Sequence, residues 1–139
     1  MKNQILQDDQ TYTGVLLTEY TIAKRVRFVN ETDLWRFYRT MVGGFVTPVL
    51  DPESDVTFWV DDDGIPKGLD LNVIASVLCG QALYGPVFIT GCSLDTEKPK
   101  SVPQDLVKMI GQMKLLSAMG IMPNLGDTDY WANAAGNPE

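Results

Sequence analysis

Apolar residues recur along the chain in three patterns, and each predicts a different element. Val26 and Phe28 alternate with Arg25 and Arg27, and Val56, Phe58 and Val60 alternate with Thr57 and Trp59. A period of two marks a strand with one buried face. Leu34, Phe37, Tyr38 and Met41 fall at i, i+3, i+4 and i+7, the spacing of one helix face. Leu71, Ile74, Ala75, Leu78 and Ala82 repeat that spacing, as do Leu106, Met109, Ile110, Met113 and Leu116. The third pattern is the near-continuous apolar run Pro86-Val87-Phe88-Ile89-Thr90, which predicts a strand inside the sheet, covered on both faces.

Punctuation residues set the boundaries. Residues 1–10 are polar and read as a loose arm. Tyr12 to Tyr20 is rich in β-formers and is expected to pair with Lys24–Val29 around Glu19–Ala23, with no Asn-Gly or Asp-Gly to fix the turn. Asn30 or Thr32 is expected to cap the first helix, 34–42, with Glu31 and Asp33 in its first turn. Trp35 and Val42 widen its stripe, and Gly43-Gly44 ends it. Phe45–Leu50 follows as a strand that Pro48 assigns to an edge or bulge. Asp51–Asp55 is a turn, Asp61-Asp62-Asp63-Gly64 closes the next strand, and Asp70 is expected to cap a second helix from Leu71 to Leu83. Leu94–Lys100 reads as a polar linker. Ser101-Val102-Pro103-Gln104 has the form of a capping box for a third helix, 102–119, ending at Gly120. Residues 121–139 are expected to form an irregular tail whose Tyr130 and Trp131 anchor it to the body or to a partner subunit.

These elements predict one α+β domain over residues 11–120: a mainly antiparallel sheet of about five strands with two to three helices packed on one face, the C-terminal helix serving packing or dimerisation. The chain has 139 residues, 45% of them hydrophobic. A domain of that size buries roughly 65–70% of its unfolded surface and needs no metal or disulfide to hold it.

Charge changes the picture more than size does. Eleven basic residues against eighteen acidic ones give a net charge of −7. Affinity for nucleic acid comes from Lys and Arg neutralising phosphates, so direct nucleic-acid binding is not expected. Solubility explains the charge, and an acidic surface also suits a basic partner or imitates DNA towards a DNA-binding protein. The two cysteines, Cys79 and Cys92, read as small apolar residues in a reducing compartment. The first residues lack the apolar run of a signal peptide and no segment reaches membrane-spanning length, so a cytoplasmic protein is expected.

Candidate chemistry is sparse. The chain has no histidine, which removes the commonest general base and a common metal ligand. Asp61-Asp62-Asp63-Gly64 suggests a calcium loop, but with Gly64 at the sixth position the first would be Trp59, which offers no oxygen ligand. The acidic run reads as a solvated turn, and no metal or cofactor is expected. The glycines form neither a dinucleotide fingerprint nor a phosphate-binding GxxxxGK[ST] loop, and no activated nucleophile is in evidence. What remains is an aromatic and arginine set: Trp35, Arg36, Tyr38, Arg39, Trp59 and Asn72. Such side chains are enriched at interaction hot spots, and arginine beside a stacking aromatic suits a nucleotide. If Trp59 points away from the core face of its strand it needs a cover, whether a helix, a second subunit or a ligand.

Val42-Gly43-Gly44-Phe45, Phe58-Trp59-Val60-Asp61-Asp62-Asp63-Gly64, Lys67-Gly68-Leu69, Asn72 with Ala75, and Tyr84-Gly85-Pro86-Val87 resemble, in order and spacing, a small domain-of-unknown-function family of bacteriophage, plasmid and other accessory bacterial genes. The resemblance covers residues 25–91. Leu34–Tyr38 with Gly43-Gly44-Phe45 is also similar, over a short stretch, to antirestriction proteins of the ArdB/KlcA kind. The resemblance implies a mobile-element origin and no known catalytic residue. The resulting expectation is a non-enzymatic accessory protein that acts by binding, in host takeover or counter-defence. Two mechanisms stand side by side. In the first and preferred one, an acidic or aromatic surface, with Asp61, Asp62 and Asp63 among its residues, occupies a host protein. In the other, the alternative, a pocket lined by residues such as Arg36, Arg39, Trp59 and Asn72 sequesters a nucleotide-like small molecule. A small hydrolase is the third alternative.

Overall fold

The computed structural model describes residues 11–20, 22–30, 33–93 and 98–119. In chain order they form β1 (Thr11–Leu17), β2 (Ala23–Val29), α1 (Leu34–Val42), β3 (Val46–Asp51), β4 (Val56–Asp61), α2 (Val73–Cys79), β5 (Val87–Gly91) and α3 (Gln104–Ala118). The five strands make one sheet in the order β2-β1-β5-β4-β3, and every pairing is antiparallel. The α+β arrangement with a five-stranded antiparallel sheet is the one the residue pattern predicts. β5 lies at its centre, between β1 and β4, and all of its residues are buried. β3 is an edge strand, where Pro48 has no ladder hydrogen bond to forfeit on its outer side.

The helices cover both faces of the sheet, which corrects the expectation of one. Val15, Leu17, Val56, Phe58, Val60, Val87 and Ile89 pack against Ile74 and Ala75 of α2 and Ile110 and Met113 of α3. On the opposite face Phe28, Trp59 and Phe88 pack under Leu34, Tyr38 and Val42 of α1. The reason lies in the interior strands. β4 and β5 carry bulky apolar groups at both parities, Phe58 beside Trp59 and Phe88 beside Ile89, so neither face can be left to water.

Three helix starts differ from expectation. Asp33, not Asn30, caps α1, its carboxylate accepting from the Arg36 N–H at 3.0 Å. Thr32 lies outside the described residues. The second helix is shorter than Leu71–Leu83 and is capped by Asn72 rather than Asp70. It stops at Gly80 in the left-handed region, φ 82°, because the chain must turn back there: the Asn72 N–H donates to the Leu83 carbonyl and the Leu83 N–H to Ser76 Oγ. Ser101 does not close a capping box. Its hydroxyl accepts from the Thr13 N–H at 3.0 Å, fastening the approach to α3 onto β1. Both cysteines are free thiols, Cys92 buried and Cys79 half-buried. Among the described residues no helix is long and apolar enough to cross a membrane. Residues 1–10 and 121–139, expected as arm and tail, lie outside the described residues.

Candidate functional site

The site begins with the anchoring of α1. Trp59 is buried beneath it, and its indole Nε1–H donates to Thr90 Oγ1 at 3.0 Å, the partner a buried indole requires. Tyr38 stacks on Trp59 with ring centroids 4.2 Å apart, and Trp35 meets the same ring edge-on at 5.1 Å. Phe28, Phe37 and Phe88 extend the aromatic cluster, each in ring contact with the other two. Burial pushes the Tyr38 phenol up to about 12, so it stays neutral at ordinary pH. With that face fixed, Arg36, Arg39 and Thr40 are left on the outward side of α1.

The chain leaves α1 through Gly43, at φ 92°, whose N–H donates to the Arg39 carbonyl at 2.7 Å. That conformation favours glycine, and it turns the backbone towards β3. Phe45 follows with 73% of its surface exposed. Facing it is the turn after β4. Asp61 is held there by two contacts: Oδ2 accepts from Lys67 Nζ at 2.8 Å, and Oδ1 accepts from the Asp63 N–H at 2.8 Å. The Asp61 side chain is 2% exposed and that of Lys67 42%. The Asp62 N–H donates to the Phe45 carbonyl at 2.8 Å and ties the two loops together. Gly44 is required by close approach. A Cβ there would lie 2.6 Å from Lys67 Nζ and 2.7 Å from Asp61 Oδ2.

Between these loops and α1 opens a cleft of about 560 Å³, lined by Arg36, Arg39, Thr40, Gly44, Phe45, Asp63 and Lys67. Its size falls within the range of small-molecule sites, roughly 300–1,000 Å³. Three cations line it against the single carboxylate of Asp63, with Asp61 behind Lys67. Lys67 has its carboxylate partner, whereas among the described residues the guanidinium groups of Arg36 and Arg39 have neither an ion pair nor a hydrogen bond. Guanidinium is a planar fork of donors suited to phosphate or carboxylate. The exposed Phe45 ring adds an apolar plate at the rim. Among the described residues no group of three or more His, Cys, Asp or Glu side chains converges as a metal site would require.

Of the residues the sequence singles out, Arg36, Arg39 and Asp63 meet in this cleft. Asp61 supports it from behind through Lys67, and Asp62 contributes its backbone to the loop tie while its exposed side chain lies outside the cleft lining. Trp59 and Trp35 lie under and within α1, and the cover that Trp59 needs is that helix. Asn72 lies elsewhere: it is 0% exposed, and its amide donates to the Leu17 carbonyl at 2.9 Å and the Gly85 carbonyl at 2.8 Å. Sequence reasoning missed Phe45 and Lys67 as cleft residues. The spacing Asp61 to Lys67 across a glycine-bearing turn carried a signal, since such a turn brings a lysine back to the carboxylate that ends the strand.

A model of the domain of unknown function DUF3846 matches residues 13–115, a longer range than the expected 25–91 that takes in most of β1 and most of α3. A crystal structure of the small RNA methyltransferase HEN1 has a similar fold, with a TM-score of 0.54 and 10% identity, over 73% of this chain and 16% of that one. The likeness is one of fold alone, to a small part of a much longer chain. No curated protein sequence matches.

Proposed function

We propose, for a chain that belongs to the DUF3846 family of unknown function, a non-enzymatic role: capture of a phosphate-bearing, nucleotide-like small molecule in the α1 cleft. One observation carries the reading. In a chain of net charge −7, Arg36 and Arg39 stand on one open cleft with no acidic partner among the described residues. Phosphate is the ligand class that two adjacent guanidinium groups, with Lys67 beside them, hold best. Phe45 at the rim supplies a surface on which a base can stack. The absence of histidine from the whole chain favours holding the ligand over transforming it.

A second reading has its own support. Phe45 and Ile65 are 73% and 71% exposed, and the exposed acidic residues Asp62 and Asp63 precede Ile65 in a turn that the Asp62 N–H ties to the Phe45 carbonyl. Exposed aromatic and aliphatic groups beside charges are the makings of a protein-docking patch, here for a host protein. In both readings the setting is the cytoplasm of a bacterial host, with the protein serving a phage or other mobile element in host takeover or counter-defence. That setting rests on the resemblance of the Val42–Val87 motifs to accessory genes and, over Leu34–Tyr38 with Gly43-Gly44-Phe45, to antirestriction proteins.

The test is thermal unfolding and calorimetric titration with a nucleotide panel, including cyclic nucleotides and pyrophosphate. A ligand at 100 times its Kd stabilises by about 2.7 kcal/mol. Arg36→Glu with Arg39→Glu should abolish that gain while leaving the unliganded melting temperature within a few degrees, and the ligand should be recovered unchanged after denaturation. Stabilisation that persists in the double variant, or conversion of the ligand by pure protein, defeats the proposal. Capture of one host protein, lost on charge reversal at Asp62 and Asp63 and indifferent to nucleotides, favours the docking reading instead.

A further inference from the structure

The opposite face of the sheet carries a second opening, about 280 Å³, between β2 and α3. Val15, Ala23, Val107 and Ile110 make its floor, and Lys24, Arg25 and Lys114 stand around it with no acidic residue in the lining. None of these three cations has an ion-pair partner among the described residues. β2 is the last strand of the sheet on that side, so the backbone groups along its outer edge have no ladder partner among the described residues. Arg27 adds a further cation to the same strand face as Arg25.

Gly111 supplies the independent clue. It sits in the interior of α3 and lines the opening. Glycine is the least favoured residue but proline at such a position, and it persists where φ is positive or where something must come close. Neither reason exists among the described residues. Gly111 has no positive φ, and nothing lies within 4 Å of where its Cβ would be. The vacant space is in the groove itself, which is where a partner's chain would approach.

We infer that β2 and α3 form a docking groove for an extended acidic segment of a partner protein, which adds to the open edge of β2 as a further strand and lays its apolar side chains over Gly111. Main-chain pairing supplies affinity in such strand addition, and side chains of alternating parity supply specificity. Arg25, Arg27 and Lys114 are the cations on the groove face, Lys24 alternating to the other one, and they call for glutamate or aspartate among the groove-facing positions of the incoming strand. They also disfavour a second copy of this chain edge to edge, since β2 would then face the same cations. Nucleic acid would meet a protein of net charge −7. This site is separate from the α1 cleft and does not depend on the reading given to it.

The probe is a labelled peptide in which Glu and Val take turns at every second position with Ser between them, so that both face the groove together, read by fluorescence anisotropy against the full chain, beside an otherwise identical peptide with Lys for Glu and a Glu-Val peptide interrupted by a central proline. The Glu-Val peptide should bind, and both controls should bind at least about tenfold more weakly, because charge and main-chain pairing are each required. Gly111→Ala decides the matter. It should raise the melting temperature by roughly 3–6 °C, as alanine improves the helix, yet weaken the peptide about tenfold by filling the groove. Arg25→Glu with Lys114→Glu should weaken it similarly. Peptide affinity unchanged in both variants overturns the inference. So do preference for a single-stranded oligonucleotide, a concentration-dependent dimer that Gly111→Ala dissolves, and binding that appears only when residues 120–139 are deleted, which would make the chain's own end the occupant.

Discussion

Asn72→Ala should come close to unfolding the protein, and the size of the effect follows from three contacts. The Asn72 side chain is 0% exposed. Its amide donates to the Leu17 carbonyl at 2.9 Å and to the Gly85 carbonyl at 2.8 Å, while its Oδ1 accepts from the Ala75 N–H at 3.2 Å. One side chain thereby ties the start of α2 to the end of β1 and to the turn before β5. Alanine loses two buried hydrogen bonds at about 1 kcal/mol each, an N-cap at about 1 kcal/mol, and about 1 kcal/mol more to the small cavity left behind. The total of about 4 kcal/mol is a large part of the roughly 5–15 kcal/mol that a domain holds. In urea it should lower the midpoint by about 2 M. Asn72→Asp is the discriminating companion, because it keeps the cap acceptor and removes both donors. At neutral pH it should be at least as damaging as alanine, since a buried charge then faces two carbonyl oxygens. The introduced carboxyl would have a folded-state pKa above its unfolded one, so stability should recover as pH falls below the unfolded value and be lost as pH rises through the folded one. A midpoint for Asn72→Ala within about 0.3 M of the native protein would refute the tie. So would normal stability combined with lost ligand binding, which would make Asn72 a ligand residue after all.

Two further outcomes are expected. Gly44→Ala should cost about 1–3 kcal/mol by overpacking, because the Lys67 tip can move aside but the Asp61 carboxylate, held by the Asp63 N–H, cannot. It should also weaken pyrophosphate binding, and a titration showing native affinity and stability would place the ion pair elsewhere. Tyr38 makes stability fall at alkaline pH: its phenol is pushed from 10.0 to about 12 by burial, so the folded state holds a proton that the unfolded state releases above pH 10. The contribution is complete below 10 and lost as pH rises through 12, and urea midpoints taken across that window should decline less steeply in Tyr38→Phe. Equal slopes in the two proteins would show that Tyr38 is not shielded in this way.

Local chemistry was legible wherever neighbours in sequence decide the outcome. The helix from Leu34 to Val42 and its left-handed end at Gly43 follow from spacing and a glycine pair, and both are present. The alternation of Val56, Phe58 and Val60, the edge position of Pro48 and the interior position of Val87–Gly91 follow from period and composition. What escaped is set by residues distant in sequence. Asp70 and Asn72 are equally good caps, and the choice between them falls to Leu17 and Gly85, which give Asn72 its partners. Helices on one face seemed sufficient because a strand's second parity can look polar. Trp59 and Phe88, side by side in register on that parity, demand the cover α1 provides. In the cleft, Arg36, Arg39 and Asp63 were visible as chemistry. Phe45 and Lys67 were not, since exposure and the return of a turn are properties of the fold.

β4 explains why the cleft exists as a formed site. The strand ends in two consecutive duties: Trp59 fixes α1 from below, and Asp61, two residues on, seats Lys67 and the turn opposite. The two walls of the cleft are therefore referred to one rigid strand, and the Asp62 N–H to Phe45 carbonyl bond fastens them at the rim. Gathering Arg36, Arg39 and Lys67 on adjacent walls costs electrostatic energy, which among the described residues Asp61 and Asp63 offset in part. A ligand phosphate would relieve the remainder without waiting for loops to order, and preorganisation of that kind raises affinity by reducing what must be fixed on binding. The same construction predicts where weakness would enter. A change that loosens Trp59 from Thr90 should widen the cleft and weaken anion binding at a residue that never touches the ligand, whereas a change at Ile74 or Ile110, on the far face, should lower stability and leave the affinity of the folded protein as it was.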